Sequence, residues 1–383
     1  MLCDVTKVDE LSAQDVKVWN DMLKAEPLFA SPLLTPEFAA AVAAVRDDVR
    51  VAVFRRQGRP VGFLSHHRRP HRFARPAGAP FADYSALITF AQPGFRFEDA
   101  LRAAGIDRYQ AIGLIDPHGL SRDGGGEADM AYGLDLGEDA PPIQAPKKHV
   151  KNINRLRRRL EETHGPVRIL VDDRDRDRFD AMLAMKRRQV RDNGLHDFLG
   201  APWAAGFLDR LWEAPRDGLH GVMLTLTAGD RPVLHHYGVR LGDRVHPWVS
   251  TYDPAYAAFS PGQIFLHDAP EALRAAGVAY YDLSTGQTHY KSAFCNTQFP
   301  VRHARLYGAS AQGRLHRGAA FAARRGARLL GPRAEGLFCR VNRRFDQIAA
   351  LELDMKGRVA GVAYAVASAG RRNAALNGGP DAG

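Results

Sequence analysis

The chain is short of several things. It has three cysteines in 383 residues, Cys3, Cys295 and Cys339. The number is odd and the spacing fits no metal-binding pattern, so no disulfide framework and no metal site are expected. A reduced, cytoplasmic protein is the simplest expectation. No stretch approaches the ~20 apolar residues that a membrane-crossing helix needs. The opening MLCDVTKVDELSAQD has no basic n-region and no apolar h-region, so no signal peptide is expected. Acidic residues are in deficit: Lys and Arg number 53 against 43 Asp and Glu, a net charge of +10. That balance suits an anionic partner such as a phosphorylated cofactor, a membrane surface or nucleic acid.

What is present begins with a repeat. The word ALRAAG starts at Ala100 and again at Ala272. The word RPV starts at Arg59 and again at Arg231, which is the same offset. That register also carries Tyr84 onto Tyr256 and Tyr109 onto Tyr281. Two words in the same order at one offset mark a duplication rather than chance. Around RPV, both copies show apolar alternation, a glycine turn and renewed alternation, the pattern of a β-hairpin. Around ALRAAG, both show a helix end, a glycine cap and a strand. The fold class expected is α+β, two tandem domains, each a mixed central sheet flanked by helices. GEDAPPIQAPKK (137–148) is the expected linker. The domains are placed at 1–138 and 139–308, with an Arg-rich helical extension and disordered tail at 309–383.

The copies differ where a ligand loop belongs. In the second, a strand ends at Tyr252-Asp253-Pro254, and Ser260-Pro261-Gly262-Gln263 opens a helix. A helix N-terminus offers unpaired N–H groups and partial positive charge, and glycine lets an anion come close. An ordinary N-cap followed by proline explains the same residues. In register, the first copy has Ile88, Thr89 and Phe90 instead, and its QPG at 92–94 is out of step.

The stretch from Thr251 to Phe294 resembles the signature region of the tandem GNAT proteins called CelD/BcsL-like, associated with bacterial cellulose and other exopolysaccharides. The resemblance rests on Tyr252-Asp253, Ser260-Pro261-Gly262, Asp282-Leu283 and Tyr290-Lys291. It departs at Gly286-Gln287-Thr288-His289, where that family usually has an acidic turn. Fem aminoacyltransferases share the duplicated architecture. The resemblance implies two GNAT-like domains and direct acyl transfer from acetyl-CoA to a sugar amine. The acceptor implied is a polysaccharide or a lipid-linked sugar precursor. The site expected from the motif, the helix start and the hairpin strand together is Ser260, Pro261, Gly262 and Gln263 for the cofactor, and His236, Tyr252, Asp253, Tyr290 and Lys291 for catalysis. Two other readings stand beside it: an aminoacyltransferase drawing on charged tRNA, and a non-catalytic binding module.

Each candidate also has a plainer role. His235 and His236 are neighbours on a strand, so at most one faces the reaction centre. Histidine titrates near pH 6.5 and suits base work, but a buried hydrogen-bonded histidine is commoner. Asp253 before proline is equally a turn residue. Tyr252 and Tyr290 are equally core residues, and Lys291 equally a solvated surface charge.

Two regions are basic. KKHVKNINRLRRRLEE (147–162) places Val150, Ile153, Leu156 and Leu160 on one helical stripe, and it lacks the aromatic residues of a single-strand RNA platform. The region from Gly313 to Gln347 has nine arginines and two acids. Arg324, Arg325, Arg328, Arg343 and Arg344 are its candidate anion-binding residues. Either a peripheral contact with the inner membrane, a cyclic-dinucleotide regulator, or a helix packed across the domains accounts for them.

Overall fold

The computed structural model describes residues 1–121, 126–286 and 293–364. The first half contains β1 (Leu2–Thr6), α1 (Ala13–Ala25), α2 (Pro36–Ala43), β2 (Val49–Arg56), β3 (Arg59–Arg69), β4 (Phe73–Pro76), α3 (Phe97–Ala103), β5 (Arg108–Leu114) and β6 (Glu127–Asp135). The second contains α4 (Lys147–His164), β7 (Val167–Val171), α5 (Arg176–Asp192), α6 (Pro202–Glu213), β8 (His220–Ala228), β9 (Arg231–Leu241), β10 (Arg244–Tyr252), α7 (Pro261–Ala275), β11 (Tyr280–Thr285) and β12 (Thr297–Tyr307). Helices α8 (Ala311–Leu329) and α9 (Pro332–Leu351) follow.

The repeat offset recurs in the element boundaries. Strands β3 and β9 start at Arg59 and Arg231, and helices α3 and α7 end at Ala103 and Ala275. Strands β5 and β11 start at Arg108 and Tyr280. The two sheets are joined into one, in the order β1-β2-β3-β4-β5-β12-β6-β11-β10-β9-β8-β7. The halves exchange their last strands. Strand β12 pairs with β5 of the first half, and β6 pairs with β11 of the second. The two exchanged strands also pair with each other, from Thr297↔Gly133 to His303↔Glu127. This removes two sheet edges that would otherwise present unpaired N–H and C=O groups.

Strand alternation sorts the core into layers. Val49, Val51 and Val53 of β2 face a core shared with α1, α2, α5 and α6. Ala52 and Phe54 face the opposite side, with Phe97, Ala100 and Leu101 of α3. In the second half, Val222, Leu224 and Leu226 of β8 meet Ile153, Leu156 and Leu160 of α4 and Ile264, Phe265 and Leu273 of α7. Each such buried side chain contributes about 1.5–3 kcal/mol. The basic segment at 147–162 is therefore a docked helix, with its stripe inward and Arg157 Nε 2.7 Å from Asp268 of α7. The shared core spans both halves: Phe81 packs within 6.0 Å, ring to ring, of Phe198, Trp203, Phe207 and Trp248.

Candidate active site

Among the described residues, the sheet of the second half opens between two neighbouring strands. Strands β10 and β11 are parallel neighbours but pair only through Arg244↔Tyr280 and Val245↔Tyr281. Beyond those residues they diverge. A register shift between Pro247 and Val249 bends β10 away, and proline there offers no N–H to a neighbour. The divergence leaves strand backbone facing a cavity of about 480 Å³. Its walls include His236, Trp248, Ser250, Tyr252, Tyr281 and Ser284 from the strands, Ser260–Gln263 from α7, and Asp83 from the first half.

Ser260, Pro261, Gly262 and Gln263 thus come together at the cavity, as the sequence suggests. Their local structure differs from a plain N-cap. Ser260 has a left-handed backbone (φ 53°) and its side chain makes no cap hydrogen bond. The N–H groups of Gln263 and Ile264 turn back to the Ser260 carbonyl instead. Pro261 has no N–H, so the Gly262 N–H is the first donor of the helix, and it has no acceptor one turn earlier. A Cβ added at Gly262 would meet nothing within 4 Å. The helix start is open to an anion on the cavity side, and its partial charge favours one.

His236 also faces the cavity, on the same strand face as Leu234. His235 faces away and bonds the Thr225 hydroxyl at 3.1 Å. His236 Nδ1 lies 2.6 Å from the Tyr281 hydroxyl, and Nε2 lies 2.9 Å from the Ser250 hydroxyl. Its ring rests 4.2 Å from that of Phe265. Burial, with the Lys186 ammonium nearby, pushes its pKa down to about 3, so the ring is neutral at physiological pH. Burial raises the Tyr281 phenol well above its usual value, which keeps the phenol protonated.

Tyr252 lines the cavity, but Asp253 does not. The Asp253 carboxylate accepts the Ala255 N–H at 2.9 Å and caps the turn Pro254–Phe259. Of its two sequence roles, the turn is the one the geometry provides. Tyr290 and Lys291 lie outside the described residues.

A second polar group at the cavity is marked in the sequence only by Asp282 of the resembling motif; its other members, His246, Asp83 and Ser284, carry no signal there. His246 is fully buried, with Nε2 2.9 Å from Asp83 Oδ2 and Nδ1 3.4 Å from Asp282 Oδ2. Burial alone would lower its pKa, but the Asp282 and Asp83 carboxylates outweigh that and raise it to about 10. Tyr84 donates its hydroxyl to Asp282 at 2.8 Å, and Ser284 donates to Asp83 at 2.6 Å. The network joins the halves.

In the first half the equivalent opening is filled. Strands β4 and β5 also pair through only two residues, Phe73↔Arg108 and Ala74↔Tyr109. The chain after β4 then runs back into the gap, bridging β3 at Phe63↔Ile88 and β5 at Ser85↔Leu114. Two glycines admit it. A Cβ at Gly62 would strike Thr89, and one at Gly113 would strike the Asp83 carbonyl. This segment brings Asp83 to the other half's cavity and Tyr84 to Asp282.

The Arg-rich extension stands apart from this cavity's wall. Phe321, Arg324, Arg325 and Arg328 line a second cavity of about 370 Å³ on α8. Arg328 Nε is 2.7 Å from Glu335, and Arg344 reaches Gln347 at 3.4 Å. The Arg343 side chain lies outside the described residues. Among the described residues no helix is long and apolar enough to cross a membrane.

Residues 147–292 match the family model described as an acetyltransferase (GNAT) domain. The fold is the GNAT fold, a mixed sheet flanked by helices, and the protein is an acyltransferase. No curated protein matches the chain. Among solved structures it is similar to FemX (9% identity, TM-score 0.48, covering 80% of this chain and 96% of that one). It is similar to a domain assigned to a lysylphosphatidylglycerol synthetase of Agrobacterium fabrum (13%, 0.47, 81% and 96%). It is also similar to a tandem GNAT protein from the clavulanic acid biosynthesis pathway (12%, 0.43, 81% and 99%).

Proposed function

We propose that this protein is an acetyl-CoA-dependent N-acetyltransferase of the CelD/BcsL-like kind. Its acceptor is an amino sugar of a bacterial surface polysaccharide or of a lipid-linked precursor. One observation carries the donor reading. The open helix start at Gly262, the diverging strands and the neutral His236 all border one cavity. The Gly262 N–H and the helix charge suit a pyrophosphate, and the free edges of β10 and β11 suit an amide-bearing arm. When bound, the thioester supplies an activated acyl group.

The chain's own residues then handle a proton. An ammonium is no nucleophile, so the acceptor must lose one. The Ser250 hydroxyl lines the cavity and touches His236 Nε2, which offers a path from acceptor to ring. Tyr281 fixes the ring through Nδ1. Burial disfavours the charged ring, so His236 only relays a proton: of the two protons the nitrogen loses, one leaves on the departing CoA thiol and the other goes to water. Transfer is direct, and Cys295 has no part in it. The departures from the family pattern at Gln287-Thr288-His289 leave the acid role to other residues.

The test is thiol release from acetyl-CoA with a panel of amino sugars. Acetylation of at least one amine, lost in Gly262→Glu, supports the proposal. Acetyl-CoA binding without transfer to any amine would favour a binding module, and transfer only from charged tRNA would favour the Fem-like reading.

A further inference from the structure

Among the described residues, Asp83 is the only charged side chain in the wall of the 480 Å³ cavity. It does not belong to the half that forms the rest of that wall. It comes from the segment that fills the first half's own opening, so one rearrangement both closes one cavity and furnishes the other.

Asp83 is held firmly. His246 Nε2 and the Ser284 hydroxyl both bond its Oδ2, at 2.9 and 2.6 Å. Its side chain keeps 28% of its surface exposed, and Oδ1 has no hydrogen-bond partner among the described residues. The charges around it do not cancel. Among the described residues, His246 carries one positive charge between two carboxylates, Asp83 and Asp282, which leaves that group of three one negative charge in excess. Tyr84 and Ser284 add only neutral donors. An excess charge in a half-buried group is costly unless water or a counter-charge meets it, and Asp83 is the member of the group that the cavity exposes. The wall opposite in sign is the α7 start, which suits an anion.

We infer that Asp83 is the specificity-determining residue for the acceptor: its Oδ1 receives the acceptor's ammonium group, so the enzyme selects a cationic amine over a hydroxyl. This rests on the donor reading above. The donor takes the helix start, the acceptor takes Asp83, and the proton released when the ammonium becomes a free amine passes by way of Ser250 and His236 to water. Asp83 binds the charged form and positions it, and no bond to Asp83 forms or breaks.

The experiment uses the full chain saturated with CoA, with D-glucosamine and D-glucose as probes in saturation-transfer NMR. Asp83→Asn keeps an oxygen for His246 and Ser284 and removes the charge. Wild type should bind glucosamine at least tenfold more tightly than glucose. In Asp83→Asn that preference should fall to about one, with CoA affinity within about twofold of wild type. Asp83→Glu should recover part of the preference, which a merely structural role would not predict. No preference in wild type, or an unchanged preference in Asp83→Asn, overturns the inference. Failure of wild type to bind CoA at all would instead strike the donor reading.

Discussion

His246 Nε2 and Asp83 Oδ2 lie 2.9 Å apart and tie the two halves of the chain together beside the cavity. The histidine is in β10 of the second half, and the aspartate is in the first half's filling segment. Their contact makes the site dependent on both copies.

The contact should show in the pH dependence of stability. His246 has a raised pKa, about 10 against an ordinary 6.5. Its charge therefore stabilises the fold fully below about pH 6.5, and that contribution is lost as pH rises through about 10. Replacing it leaves the buried Asp282 and the half-buried Asp83 uncompensated, so His246→Gln should lose about 3 kcal/mol near neutral pH. The gap in melting temperature between wild type and variant should narrow from pH 7 to pH 10. A constant gap would mean that His246 is not charged in the fold.

His236 should behave in the opposite way. Its pKa is pushed down to about 3, so it stays neutral across the working range. The rate should then show no acid limb near pH 6.5 from this residue. Tyr281→Phe keeps the packing and removes the 2.6 Å contact that fixes the ring. Turnover should drop about 10- to 100-fold with CoA affinity unchanged, measured by thiol release and calorimetry. Full turnover in that variant would remove His236 from the proton path.

Gly113 lies outside the cavity wall, yet activity should depend on it. Its φ is +45°, and a Cβ there would strike the Asp83 carbonyl. Gly113→Ala should cost about 1–3 kcal/mol through the strained backbone and displace the segment that carries Asp83. We expect a lower melting temperature together with a weakened preference for glucosamine. A destabilised variant with an intact preference would separate Asp83 from the acceptor.

The duplication was legible in the sequence because hairpins and helix caps leave local words, and the same words recur at one constant offset. The Ser-Pro-Gly helix start was legible for the same reason. The exchange of β6 and β12 was not, since strand partners are a long-range choice and each strand alternates in the same way in either sheet. Nor was the role of Asp83 or His246. Asp83-Tyr84 follows Ala-Pro-Phe-Ala in a stretch that looks like loop, and His246 stands alone in a strand. Their meaning comes from partners distant in the chain: Asp83 lies in the other half from His246, and Asp282 lies beyond α7. Asp253 illustrates the converse: its local turn role was readable, and the turn is where it is used.

The central claim is that one half binds acetyl-CoA and the other has given up that capacity to complete the site. Calorimetric titration of the full chain with acetyl-CoA tests it directly. The account predicts one binding event per chain, lost in Gly262→Glu. Two sites per chain, or undiminished binding in that variant, would contradict it.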